Sequence, residues 1–266
     1  MYQFDFAKPK TLDDLKALRE GEAEVQYLAG GMTLIATLKQ RLAMPELLVD
    51  ISAIDDLKGL SKTADGLKIG ALTKHADVAS NADVKNTIPT LAKLAGMIGD
   101  PQVRNRGTLG GSVANNDPSA DYPAAVLALK GTIHTENRSI TADDFFVDLF
   151  ETALDEGELL TAIEVKTPTR ASYQKFANPA SRYAIAGVFV ADLGGGDVRV
   201  AVTGAGPCVY RLKDFEAALA KDFSVDAIKG LEVSADGLNE DVHASPDYRA
   251  DLVKTLTMRA VKELTD

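Results

Sequence analysis

Two short segments carry the residue types that could do chemistry. Ala29-Gly30-Gly31-Met32-Thr33 and Thr108-Leu109-Gly110-Gly111-Ser112 each combine paired glycines with a hydroxyl residue and a neighbouring apolar strand. Paired glycines let the backbone take positive φ and approach a ligand closely. Successive amides in such a turn make an anion-binding hollow. Thr33 and Ser112 add hydroxyl donors. Two such hollows facing each other suit a pyrophosphate, although either loop alone is more often just a turn. Neither matches G-x-G-x-x-G, and no Gly-Lys-Ser/Thr occurs, so the Rossmann and P-loop fingerprints are absent. Met32 stands out because its side chain donates no strong hydrogen bond, which leaves that position to its backbone amide.

Other chemistries find little support. His75, His134 and His243 are too scattered for a metal site, and read as caps or surface residues. One cysteine, Cys208, excludes an internal disulfide or a Cys-ligated cluster, and reads as a packed thiol. Lys plus Arg is 29 against 39 Asp plus Glu, a net charge of -10, which disfavours nucleic acid and anionic membrane surfaces. No apolar run reaches the roughly 20 residues of a membrane span. The opening MYQFDFAKPK lacks a signal-peptide layout, so a soluble cytoplasmic protein is expected.

The elements that must position the loops follow from pattern. Thr11 and Asp14 form a capping box before Leu12, Leu15 and Leu18. Val25 to Leu28 reads as a strand into the first loop. A helix with Leu34, Ile35, Leu38 and Leu42 follows, ended by Pro45, and Leu47 to Ile51 is a strand. Strands are expected at Leu67 to Ala71, near Ile133 and Ile140, and at Leu159 to Val165. Helices are expected at His75 to Ser80 and from Pro89 through Leu91 and Leu94 to Ile98. Asp121 stands before Pro123, where an N-cap is one reading. Pro168 marks a boundary. Beyond it Tyr173 to Phe176, Ile185 to Leu193 and Val198 to Thr203 alternate as an antiparallel sheet, with Gly194-Gly195-Gly196-Asp197 as a turn. Helices follow at Leu212 to Ala220 and Val225 to Leu231, and Ser245-Pro246 opens the last.

Three stretches together carry a resemblance: AGGMTLIATLKQRLAMPELLVDIS, IGDPQVRNRGTLGGSVANNDPSADYPA and YQKFANPASRYA. They resemble the FAD-binding medium subunit of the molybdenum hydroxylases, nearest the carbon monoxide dehydrogenase medium subunit and more distantly the xanthine dehydrogenase FAD domain. The likeness runs nearly end to end. It implies an α+β chain: a vanillyl-alcohol-oxidase-type FAD-binding domain over 1–168, with subdomains of about 1–55 and 56–168, then a smaller α+β domain over 169–266. It implies non-covalent FAD with its pyrophosphate on both glycine loops. It implies that Asp121 lies near the ribityl and pyrophosphate, that Ile98 and Leu160 flank the cofactor, and that Lys175 and Tyr183 lie near the flavin ring. Ordinary core or surface roles stay open for each of these five. Arg104 and Arg106 have three readings: phosphate partners, braces for the second loop, or a contact with another subunit.

The resemblance also implies a division of labour. Electrons leave a molybdenum cofactor in a large subunit, cross two [2Fe–2S] clusters in a small subunit, and reach this flavin, which serves an external acceptor. The assembly it implies is a dimer of heterotrimers. A stand-alone flavin oxidase on the same fold, or an interaction subunit that has lost its flavin, are the alternatives.

Overall fold

A computed structural model of the chain describes residues 1–19 and 24–266. The first layer contains β1 (Asp5–Ala7), α1 (Leu12–Arg19), β2 (Val25–Leu28), α2 (Leu34–Lys39) and β3 (Leu47–Asp50). Its strands run parallel in the order β1-β3-β2, with Val25 beside Leu47 and Leu28 beside Asp50. The Thr11 and Asp14 capping box forms as expected, each side chain accepting from the other's backbone N–H at 3.0–3.1 Å. Leu15, Val49, Ile51, Ile54 and Leu57 build a small core beneath this layer.

One expectation here fails. The helix does not run to Pro45 and does not bury Leu42, which is 73% exposed. It closes at Lys39 in a Schellman motif: Arg41 takes φ 61°, its N–H bonds to Leu38 O, and Leu42 N–H bonds back to Thr37 O. An arginine in the left-handed position leaves no glycine signal to read.

The middle of the chain is a five-stranded sheet in the order β4-β5-β10-β6-β7. Its strands are β4 (Leu60–Lys62), β5 (Gly66–Gly70), β6 (Thr132–Thr135), β7 (Ser139–Thr141) and β10 (Leu160–Lys166). Between β5 and β6 come α3 (His75–Ser80), α4 (Ala82–Thr87), α5 (Pro89–Gly96), α6 (Pro101–Arg104), α7 (Leu109–Asn115) and α8 (Tyr122–Ala128). After β7 a short α9 (Ala142–Phe145) leads into a hairpin of β8 (Phe146–Asp148) and β9 (Glu151–Thr152).

A four-stranded antiparallel sheet follows: β11 (Arg170–Ala177), β12 (Ala184–Asp192), β13 (Val198–Thr203) and β14 (Tyr210–Arg211). The glycine turn joins β12 to β13, with φ of 86°, 62° and 83° at Gly194, Gly195 and Gly196. Helices α10 (Lys213–Lys221), α11 (Val225–Ile228) and α12 (Pro246–Thr265) complete the chain. Strand β12 is buried along nearly its whole length because both faces are covered. Phe189 and Ala191 enter the core shared with the five-stranded sheet, whereas Ala186, Val188 and Val190 enter a second core closed by Val253, Leu256 and Ala260 of α12. The two-residue period of the strand thus welds the two sheets together. The fold class is α+β, as expected.

Candidate functional site

A cleft of about 630 Å³ runs between the first layer and the five-stranded sheet. That volume falls within the roughly 300–1,000 Å³ usual for cofactor pockets. Both glycine loops line it, and they nearly touch. A Cβ on Gly30 would lie 2.1 Å from the carbonyl oxygen of Arg106, and one on Gly111 would lie 3.7 Å from the Ala29 Cβ. Only glycine at position 30 allows this approach.

The loops do not do the same work. In the first, the backbone N–H groups of Gly30, Gly31, Met32 and Thr33 donate to no protein group among the described residues. Gly31 turns the chain at φ 74°. These free amides make the hollow expected from the sequence. In the second, the four amides from Leu109 to Ser112 are already committed. Leu109 N–H bonds to Thr73 O at 3.0 Å and Gly110 N–H to Ala71 O at 2.9 Å. Thr108 caps α7, accepting Gly111 N–H at its Oγ1 (3.1 Å) and Ser112 N–H at its carbonyl oxygen. The expectation of two facing hollows therefore holds for one loop only. The second loop presents a floor without Cβ atoms at Gly110 and Gly111, plus the Ser112 hydroxyl.

Electrostatics sharpen this. Arg182 is the single Arg or Lys lining the cleft among the described residues, against Glu24, Asp117, Asp121, Asp155, Glu156 and Glu158. An anion placed here has the amides of the first loop as its principal donors. Arg104 takes the bracing role, its Nη1 donating to Ile98 O and Gly99 O at 3.0 Å each. Arg106 is exposed and contributes its carbonyl oxygen to the contact with Gly30.

Of the expected site residues, Ala29, Gly30, Gly31, Met32, Thr33, Ile98, Thr108, Gly110, Gly111, Ser112, Asp121, Leu160 and Tyr183 all line the cleft. Leu109 points into the core instead, 1% exposed. Lys175 also stands outside the lining. Its Nζ is buried behind Asp121, 2.9 Å from the carboxylate and 3.5 Å from Met97 O. It is thus no solvated strand lysine, and it reaches the cleft only through Asp121. Asp121 stands at the N-cap position of α8 but does not act as a cap: its φ and ψ are helical and its side chain makes no cap bond. The carboxylate accepts from Tyr173 Oη and Lys175 Nζ. Burial pushes the Asp121 carboxyl above the ordinary range, against the pull of Lys175 and Tyr173.

Several lining residues carried no usable sequence signal. His75, read as a cap or surface residue, is 5% exposed, and burial pushes it down to about 4. Its ring packs on Tyr122, with centroids 5.3 Å apart. Asp117 is raised by burial, and Tyr183 is raised by burial and by Asp117 and Asp121. Phe150 and Tyr27 line the cleft as well. Position alone puts them there, and nothing in their spacing marks it. Cys208 is half-buried, as a packed thiol should be. Among the described residues no helix is long and apolar enough to cross a membrane, and no cluster of His, Cys, Asp and Glu could hold a metal ion.

Comparison with known proteins identifies this architecture. Residues 2–168 match the family model described as the FAD binding domain in molybdopterin dehydrogenase. The glyceraldehyde dehydrogenase medium chain of Sulfolobus acidocaldarius is 35% identical, with 98% of each chain covered. The nicotine 6-hydroxylase medium subunit of Paenarthrobacter nicotinovorans is 32% identical, covering 97% of this chain and 96% of the relative. Among solved structures, carbon monoxide dehydrogenase from Hydrogenophaga pseudoflava superposes with a TM-score of 0.84 at 31% identity, covering 98% of this chain and 96% of that one. Carbon monoxide dehydrogenase from Oligotropha carboxidovorans superposes at 0.87 and 29% identity, covering 98% and 97%. A cleft floored by two touching glycine loops, on a chain whose likeness to these proteins runs end to end, has one reading: the chain belongs to the family of FAD-binding medium subunits of the molybdenum hydroxylases.

Proposed function

We propose that the chain holds one FAD non-covalently in this cleft and relays electrons as one subunit of a larger oxidoreductase. The observation that carries the reading is the row of free amides at Gly30 to Thr33, pressed against the second loop where no side chain would fit. Backbone N–H groups bind a pyrophosphate without requiring Lys or Arg, and the lining offers almost none. In this reading the Ser112 and Thr33 hydroxyls and the Met32 amide complete the phosphate cradle. Ile98 and Leu160 supply the apolar walls, and Asp121 accepts from polar groups of the cofactor. Tyr183, 49% exposed at the rim, covers a planar ring. Lys175 acts on the cofactor through Asp121. When bound, FAD supplies the redox chemistry itself. The chain's part is to bind it, orient it and shield it from water.

The relatives support a partnered role, since they are named as medium chains or medium subunits. In this reading a small subunit with [2Fe–2S] clusters delivers electrons that originate at a molybdenum cofactor in a large subunit, within a dimer of heterotrimers. An external acceptor then takes them. Relatives of similar identity bear the names of glyceraldehyde, nicotine and carbon monoxide enzymes, so the likeness favours no single substrate; in this reading that choice belongs to another subunit. The reading also assigns 1–168 to the FAD-binding domain and 169–266 to a C-terminal domain, supported by the span of the family match and the separate four-stranded sheet.

Absorption spectroscopy tests it. The purified chain, titrated with FAD alone and again after mixing with its partner subunits, is expected to acquire a bound-flavin spectrum. Gly30→Ala, whose Cβ would collide with Arg106 O, is expected to lose it while keeping its far-UV circular dichroism. No flavin in wild type under either condition refutes the proposal.

A further inference from the structure

The rim of the cleft carries a hairpin whose shape the binding of a pyrophosphate does not explain. At its tip Phe150 has φ 53°. That is the left-handed region, costly for any bulky side chain. The conformation is gripped from below by Asn116, which is wholly buried and itself left-handed at φ 44°. The Asn116 side-chain amide donates to Asp148 O and to Glu151 O, at 2.8 Å each. Its main-chain carbonyl accepts from Phe150 N–H at 3.3 Å. One buried residue thus fixes the turn on both sides. Yet the side chain so fixed is 56% exposed and forms part of the cleft lining. Val147 and Leu149, the other exposed apolar side chains of the hairpin, are absent from that lining. Backbone strain, a dedicated buried clamp and an uncovered aromatic ring coincide at one position. The Asn116 bonds hold the turn, but the ring itself stays uncovered among the described residues, and a planar ligand in the cleft would cover it.

We propose that Phe150 is a cofactor-binding residue whose ring packs on a planar ring of the bound dinucleotide, and that Asn116 is the residue that positions it. The inference rests on the FAD reading above. Offset or edge-on aromatic packing provides the attraction, and the apolar face it covers provides the rest.

The chain contains no tryptophan, so Phe150→Trp installs a single reporter. Its emission in the full-length protein is expected to be quenched in step with flavin uptake. Phe150→Leu keeps the apolar bulk and loses the ring. It is expected to raise the Kd for FAD by roughly two- to thirteen-fold, the range an aromatic pair provides, while Phe150→Tyr binds like wild type. Position 150 is exposed, so these variants should fold, and far-UV circular dichroism checks that they do. Flavin uptake that leaves the emission of the introduced indole unchanged overturns the proposal, as does a Leu variant that binds FAD like wild type. Failure of the FAD reading is distinguishable, because there wild type itself shows no flavin spectrum, alone or with its partners.

Discussion

Asp121, Tyr173, Lys175 and Gly187 show how much of the interior a single cleft-facing carboxylate engages. The carboxylate is 4% exposed and takes two donors, one neutral and one cationic. Tyr173 is itself wholly interior, and its hydroxyl occupies the space a side chain at position 187 would need: a Cβ on Gly187 would lie 2.6 Å from Tyr173 Oη. Gly187 sits mid-strand directly opposite Lys175. Its value there is room, not freedom of φ. Tyr173→Phe removes a donor from a buried acceptor and should cost about 1–3 kcal/mol of stability. Gly187→Ala should displace the same hydroxyl. The two effects should then overlap rather than add, since they break one network. Thermal denaturation of the two single variants and the double variant reads this directly. Additive losses would show that Gly187 serves β12 packing independently of Asp121.

At the scale of elements, the parts legible in the sequence are those coded by nearest neighbours. The Thr11 and Asp14 box, the strand into the first loop, the glycine turn after β12 and the Ser245 cap of α12 all rest on residues within four positions of each other. The end of α2 is illegible because Arg41 holds a position usually signalled by Gly or Asn. Asp121 reads as a cap because Pro123 stands close by, whereas its true partners lie more than fifty positions away. The unequal division of work between the glycine loops is also hidden. It depends on Ala71 and Thr73, at the exit of β5, taking the second loop's amides. His75 is misplaced for a similar reason. It opens α3, donates its backbone N–H to Gly107 O at 3.0 Å, and lays its ring where a Gly107 Cβ would stand, 2.5 Å from Nε2. The helix therefore braces the second loop through a neutral imidazole, and this predicts a pH dependence. The folded value of about 4 lies below the unfolded value of 6.5, so between them the unfolded state binds the extra proton. Stability should fall by about 3 kcal/mol as pH drops from 6.5 to 4, and His75→Phe should flatten that window. Below about 4.5 paired carboxylates take over, such as Glu158, pulled down to about 2 mainly by Arg138. Denaturant midpoints measured from about pH 4 to 7 check it; an unchanged slope in the variant would assign the window to other groups.

Across the whole molecule, the cleft exists because two separately built walls are held at a set spacing. One wall is the first layer, whose β2 runs into the free amides of Gly30 to Thr33. The other is the five-stranded sheet, whose β10 brings Leu160 to the lining. A strap joins them through the carbonyl of Gly157. It accepts from Arg19 Nη1 of α1 at 3.0 Å and from Tyr27 Oη of β2 at 2.7 Å. Arg19 also pairs with Glu136, whose side chain is 4% exposed. Removing Arg19 leaves that carboxylate buried without its cation. A fully buried pair broken this way costs about 3–5 kcal/mol; Arg19 is 22% exposed, so about 2 kcal/mol is the fitting expectation for Arg19→Met. The strap's bearing on function shows in the ligand's own contribution. At one hundred times its Kd, FAD should stabilise wild type by about 2.7 kcal/mol, or roughly 5–10 °C in Tm. If the strap holds the walls ready for the ligand, Arg19→Met lowers the Tm without FAD and also shrinks the rise at the same FAD concentration, because binding must then reset the spacing. A variant with a lower starting Tm and an undiminished rise would mean that the strap stabilises the fold, and that the glycine loops alone set the width of the cleft.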